Sequence, residues 1–354
     1  MVRTQVMRLS RRRVLQGGLA GVGLALLAGC GIPTPQGAPP PRDFRLGLFH
    51  VGLDHIPPSA DGLRDGLKAL GYDVGSEPTP LVSTVMEGKN IRLDWRNLPD
   101  EATALEAAKA FVQDRVDLIV AFETQCVRAA KAATSEIPVP VVFLHVTDPV
   151  AEGFAQSLAY PGGNMTGFGE FFADVLAKRM EMLKELVPQL ESLLVLIDRQ
   201  DRAMPQQLAE VRKAASTLRL HLVEREASRQ LDVERVFDSL QPGEVQGVFV
   251  ASSSLVTKFP SLVRRLAAER HLPVPGHRRE WAEDGALFSY GANFRTVGQD
   301  AATYVDKILK GARPADLPVE QVTRLELVIN LKTAKALNVT IPASVLQQTT
   351  EIIQ

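Results

Sequence analysis

The run Val116-Asp117-Leu118-Ile119-Val120-Ala121-Phe122 is apolar at six of its seven positions. A strand with one wet face alternates apolar and polar residues, whereas an unbroken apolar strand is covered on both faces, as in parallel sheets flanked by crossover helices. The neighbouring segments agree. Glu101 to Gln113 carries a helical pattern before the run, Gln125 to Ala133 carries another after it, and Val141 to Val146 is a second continuous apolar run. Further upstream, Leu46 to Val51 reads as the first strand, Leu63 to Leu70 as part of a helix stopped by Gly71, and Asn90 to Trp95 as the next strand. Val74 to Gly88, polar and Pro-bearing, reads as an outer loop. Strands alternating with helices in this way predict an α/β unit with a parallel sheet.

After helix Val150 to Ala159, the breakers Pro161-Gly162-Gly163-Asn164 predict the end of that unit. The alternation then begins again. Helices are expected at Leu176–Leu186, Gln206–Leu218, Val233–Leu240, Ser261–Arg270 and Val297–Leu309, with strands at Leu193–Ile197, Leu220–Arg225, Gly247–Ala251, Val274 and Ala286–Ser289. Two Rossmann-like lobes result. The first is expected to span 44–163 plus about 291–314, and the second 164–290 plus about 315–354, the late segments returning across the junction. Such lobes present the carboxyl ends of their strands to a shared crevice, so the ligand site is expected there.

With 354 residues, 45% of them hydrophobic and 23% charged, the chain can bury two ordinary cores. Its formal charge of -1 is unevenly spread. The first 29 residues hold five arginines and no acid, which leaves the remainder mildly acidic and ill suited to nucleic acid. Those arginines precede an apolar segment, Val14 to Leu27, that is too short and Gly-rich to span a bilayer. Leu27-Ala28-Gly29-Cys30 follows and resembles a bacterial lipobox, so 1–29 is expected to be a removable export signal and Cys30 the lipidated mature N-terminus. Ser10-Arg11-Arg12-Arg13-Val14-Leu15-Gln16 resembles the twin-arginine signal, although a plain basic region reads almost the same. The five prolines within 30–43 make a semi-rigid tether to the folded part.

Six stretches carry a family resemblance: Glu87–Ile91 (EGKNI), Thr147–Val150 (TDPV), Pro161–Gly167 (PGGNMTG), Leu183–Pro188 (LKELVP), Phe288–Gly291 (FSYG) and Glu326–Leu337 (ELVINLKTAKAL). In this order they resemble the ABC transporter substrate-binding family that includes tryptophan- and tyrosine-binding lipoproteins. The resemblance runs from about Phe44 to the C-terminus. It implies a type I periplasmic-binding-protein architecture with a ligand cleft between the lobes and hinge closure on a small molecule. It also implies permease and ATPase partners in separate chains, a membrane-anchored monomer facing the periplasm or cell exterior, no cofactor and no catalysis. A signalling receptor on the same fold, or an exported α/β enzyme, would share much of this sequence pattern. Two departures bear on the ligand. Phe122-Glu123-Thr124-Gln125 stands where many members have roughly Gly-Gly-Thr-Pro, and Ser252-Ser253-Ser254 where many have Pro-Asp-Pro.

Candidate ligand contacts follow from strand-end positions. In the first lobe they are Asp54, Glu123, Thr124, Gln125 and Asp148; in the second, Asp198, Ser252, Ser253, Glu280 and Tyr290. Thr124 lines up with the family's threonine, and its hydroxyl with the free N–H groups of a helix start could hold a carboxylate or simply cap the helix. Glu123 could pair with a ligand amine or simply be solvated; the first reading favours an amino acid or amine-bearing derivative. Asp148 before Pro149 fits a helix cap as well as a ligand contact. Trp281 reads as core. His50, His55 and His145 with Glu123 and Cys126 could form a metal site only by converging, and no local ligand spacing supports one, so no metal is expected.

Overall fold

The computed structural model describes residues 43–354 except 53–55, 76–78, 171–172, 202–203, 252–254 and 256–258. The export signal, the tether to residue 42, Cys30, Asp54, His55, Ser252 and Ser253 therefore lie outside the described residues. Within them, the first lobe runs β1 (Phe44–Val51), α1 (Pro58–Ala69), β2 (Thr84–Glu87), β3 (Ile91–Leu98), α2 (Glu101–Gln113), β4 (Leu118–Phe122), α3 (Glu123–Ala133), β5 (Val141–Val146) and β6 (Met165–Gly169). The second continues with α4 (Ala173–Leu186), β7 (Ser192–Ile197), α5 (Met204–Leu218), β8 (His221–Glu226), α6 (Gln230–Ser239), β9 (Val248–Val250), α7 (Pro260–Glu269), β10 (Pro275–Gly276), α8 (Arg279–Glu283) and β11 (Phe288–Ala292). Then come α9 (Phe294–Leu309), β12 (Glu320–Gln321), β13 (Leu325–Asn330), α10 (Leu331–Ala336), α11 (Ala343–Leu346) and β14 (Glu351–Ile353).

The apolar run at 118–122 is β4, buried at every position, with β1 and β5 parallel to it on either side. The full order of that sheet is β12-β6-β5-β4-β1-β3-β2. Both faces are covered, as the unbroken apolar pattern requires. On one face α1 and α9 supply Leu63, Leu67, Val297 and Val305; on the other α2 and α3 supply Ala108, Phe111, Val127 and Ala130. In the second lobe β8-β7-β9 is a parallel set, and β10-β11-β13-β14 a mixed one in which β13 runs antiparallel to β11. A hydrogen bond of 3.0 Å from Val248 N to the Pro273 carbonyl links the two sets.

Three sequence expectations change. Met165–Gly169 is a strand of the first sheet, paired with β5, and β12 pairs with β6, so the chain crosses between lobes after Gly169 and Gln321, later than 163 and 314. The short, Gly-bearing sequence hides this strand. Its Gly167 lies so close to β5 that a Cβ there would sit 2.0 Å from the Phe143 carbonyl oxygen. No helix forms over 150–159: the backbone makes a turn at 149–153, where Gly153 takes φ +69°. The outer loop at 74–88 contains β2, an antiparallel edge strand on β3.

The return of α9 is fixed by close helix packing. A Cβ at Gly62 of α1 would meet the Arg295 carbonyl oxygen at 2.0 Å, and one at Gly298 of α9 would meet the Ser59 carbonyl oxygen at 2.0 Å. Only glycine lets the two backbones approach this closely.

Candidate functional site

The strand ends of the first lobe converge on His145, one residue before the end of β5. Its backbone takes φ +61°, an unusual conformation for a side-chain-bearing residue, and so does Glu123, the first residue of α3 directly after β4, at φ +69°. The His145 ring is held at both nitrogens: Nδ1 lies 2.5 Å from Glu170 Oε1, just past β6, and Nε2 lies 2.6 Å from Ser59 Oγ in the first turn of α1. A carboxylate at Nδ1 keeps the ring proton there, so Nε2 accepts from the serine hydroxyl. Ser59, His145 and Glu170 are all buried. Their order matches a nucleophile–base–carboxylate relay. Ser59 is fully enclosed, at 0% exposure, beside the α1–α9 contact.

The second lobe supplies cations. His277 and Arg278 follow β10, and Arg278 Nε donates to His277 Nε2 at 2.7 Å. Its Nη2 stands 3.6 Å from Glu123 Oε1, an ion pair between the lobes with both side chains nearly buried. Phe294, first residue of α9, lies between the lobes, its ring 4.4 Å from that of His145 and 5.0 Å from the Arg278 guanidinium carbon. Burial and the charge of Arg278 push the His277 pKa well below the ordinary imidazole range, with Arg179 acting in the same direction. Arg179, on α4, donates from Nε to the Tyr290 carbonyl at 3.1 Å. Burial pushes its pKa down to about 10, opposed by the negative charge of Glu170.

The expected site residues fare unequally. Glu123 joins this cluster, but it is not the unopposed carboxylate that an amine would seek, because Arg278 already faces it. Thr124 and Gln125 are partly buried in the first turn of α3 beside it. Thr124 is not the cap: the N-cap position belongs to Phe122, which makes no side-chain capping bond. Asp148 accepts from Val150 N and Ala151 N at 3.1 and 2.9 Å, so it caps the 149–153 turn rather than a helix. Asp198 is fully buried and accepts from Ser228 Oγ at 2.6 Å and Gln200 N at 3.0 Å, contacts that tie it to loops of its own lobe. Glu280 is partly buried, with Oε2 accepting no hydrogen bond. Tyr290 contributes its carbonyl to Arg179, and Trp281 is core, with 2% exposure.

Sequence reasoning missed Ser59, Glu170, Arg179, His277 and Arg278. The available signal was positional: Gly276-His277-Arg278 follows a short apolar strand, and Glu170 follows Met165–Gly169. Among the described residues no group of three or more His, Cys, Asp or Glu could hold a metal ion, and Cys126 is a buried free thiol whose pKa is raised chiefly by burial. A surface groove of about 600 Å³ beside α3 contains none of the cluster, and its Arg128 and Glu152 pair at 2.7 and 2.9 Å. Among the described residues, no helix is long and apolar enough to cross a membrane.

Comparison with known proteins agrees with this architecture. A family model described as ABC transporter substrate binding protein matches residues 49–353. A tyrosine-binding protein of Clostridioides difficile (strain R20291) is 28% identical, the match covering 92% of each chain. Among solved structures, a conserved domain protein from Vibrio cholerae is 27% identical, with TM-score 0.75, covering 88% of this chain and 100% of that one. An ABC domain from Streptococcus pneumonia in complex with L-Trp is 23% identical with TM-score 0.73 over 88% and 100%, a likeness of fold.

Proposed function

The chain belongs to the ABC transporter substrate-binding protein family, and from that premise we propose that it is the extracytoplasmic receptor of an importer, capturing a small organic solute between its lobes. The observation that carries the reading is the meeting of buried polar groups from both lobes at the strand ends: Ser59, His145, Glu170 and Glu123 from the first, Arg179 and Arg278 from the second. Such groups change their surroundings when the lobes part, so closure and ligand capture are coupled through them.

An amino acid is the first candidate ligand, supported by the tyrosine-binding relative. In this reading the receptor binds without chemical turnover, works as a monomer and delivers its ligand to a separate permease and ATPase. Export under the 1–29 signal and lipidation at Cys30 would place it at the membrane surface. Native mass spectrometry of the freshly purified chain, followed by calorimetry with L-tyrosine and L-tryptophan, tests the receptor. A bound small molecule released intact supports it; steady conversion of that molecule into a product would refute it. Radiolabelled fatty acid should enter the chain but not its Cys30→Ser variant, and labelling of the variant would remove the anchor from the proposal.

A further inference from the structure

We infer that Arg179 is the anion receiver of the site, so that the ligand carries a carboxylate which docks on the guanidinium from the second lobe. The inference rests on the receptor reading and names the ligand's chemistry within it. Arg179 is 4% exposed, it donates from Nε to the Tyr290 carbonyl, and Nη2 has no hydrogen-bond acceptor among the described residues. No carboxylate there lies within ion-pair distance of it. A guanidinium shut away from water without an anion is costly, and native structures nearly always supply one. With its pKa pushed down only to about 10, Arg179 remains charged at neutral pH.

The first-lobe chain Ser59–His145–Glu170 explains why the protein does not supply that anion itself. Glu170 is near enough to act electrostatically on Arg179. Its Oε1 is engaged by His145 Nδ1 at 2.5 Å, however, and the ring is braced by Ser59 at its other nitrogen. Arg278, the other buried cation of the cluster, is matched by Glu123 and His277. Arg179 is thus the cationic group of the cluster whose donors remain to be matched. Its planar fork suits a carboxylate, which can accept two parallel N–H bonds. The solute class that follows is an organic acid or zwitterion whose carboxylate enters the second lobe.

Calorimetry on the full chain with four probes tests this: L-tryptophan, L-tyrosine, tryptamine, which lacks the carboxylate, and indole-3-propionate, which lacks the ammonium. The expected result is binding of the carboxylate probes and at least about tenfold weaker binding of tryptamine than of tryptophan. Arg179→Gln should weaken the carboxylate probes by about tenfold or more, and Arg179→Lys by less. Without ligand, Arg179→Gln should melt no lower than the parent, because a neutral amide replaces a buried charge. A merely structural arginine would instead lower the melting point and leave relative affinities unchanged. Tryptamine binding as tightly as tryptophan, or Arg179→Gln binding the carboxylate probes like the parent, overturns the inference while leaving the receptor reading intact. Failure of all four probes overturns it together with the amino-acid reading.

Discussion

Substituting Gly298 by alanine adds one methyl group at the point where α9 lies closest to α1. The new Cβ would stand 2.0 Å from the Ser59 carbonyl oxygen and 2.7 Å from Leu63 N, whereas ordinary contact begins near 3.4 Å. Both neighbours are backbone, so relief requires moving a helix rather than turning a side chain. Overpacking of this kind costs about 1–3 kcal/mol, and a rigid backbone contact belongs at the upper end. Alanine recovers up to about 1 kcal/mol of helix propensity, leaving a net loss of about 2 kcal/mol. For a folded unit running from Arg42 to Gln354, that lowers Tm by about 3 °C. Gly163→Ala is the matched control: a Cβ there meets nothing within 4 Å, and its effect should stay within about 0.5 kcal/mol. Scanning calorimetry of the two variants reads the difference. Because Ser59 braces His145 at 2.6 Å, the Gly298 variant should also bind ligand more weakly. A Gly298→Ala protein melting with or above the parent would refute the packing described for α1 and α9.

Three further outcomes are expected. Arg278→Met leaves Glu123 buried without its cation, and breaking such a pair costs up to about 3–5 kcal/mol, less where the lobes can part and hydrate it; the double variant Glu123→Gln/Arg278→Met should recover much of the loss in urea unfolding, whereas additivity within about 0.5 kcal/mol would deny the pair. His277 is held neutral in the fold, so below its unfolded pKa of about 6.5 the unfolded chain binds a proton that the folded chain refuses. Stability should fall as pH drops from about 6.5 toward the folded value, and His277→Gln should flatten that slope relative to the parent; equal slopes would show that His277 does not contribute. Cys126 should react with a thiol reagent such as DTNB only on unfolding, since it is enclosed and its thiolate disfavoured; rapid labelling of the folded chain at this position would contradict its burial.

Where a single element decides its own pattern, the sequence was informative. The unbroken run at 118–122 became a central strand, and the helix over Glu101–Gln113 ends where its periodicity ends, with Asp100 and Thr103 forming the cap. The sequence misled where contacts between distant segments overrode local preference. Met165–Gly169 looks like a Gly-bearing link, yet it is a strand because it lies against β5. Val150–Ala159 has apolar residues at helical spacing, yet Gly153 and the Asp148 cap fold its start as a turn. The site divides in the same way. Strand-end position marked Glu123 as facing the second lobe, but not that Arg278, more than a hundred residues on, would oppose it. Arg179 reads in sequence as one more cation on a helix, and only its burial beside the Tyr290 carbonyl distinguishes it.

The seat of α9 also governs when the first lobe can be completed during synthesis. Until the chain has been extended through Leu309, one face of the seven-stranded sheet lacks Val297, Ala301, Tyr304 and Val305, and Tyr72 waits for a hydroxyl partner, Asp306, that lies 234 positions downstream. Most strands of the first lobe are made early but must stand half-covered while the larger part of the second lobe is produced. Long-range closure of this kind slows folding and prolongs exposure of apolar strands. A fragment ending at Gly169 would therefore be a sheet with one face covered by α1 alone, prone to associate with other chains, and quality control acting on this protein has its longest opportunity before the last of α9 appears.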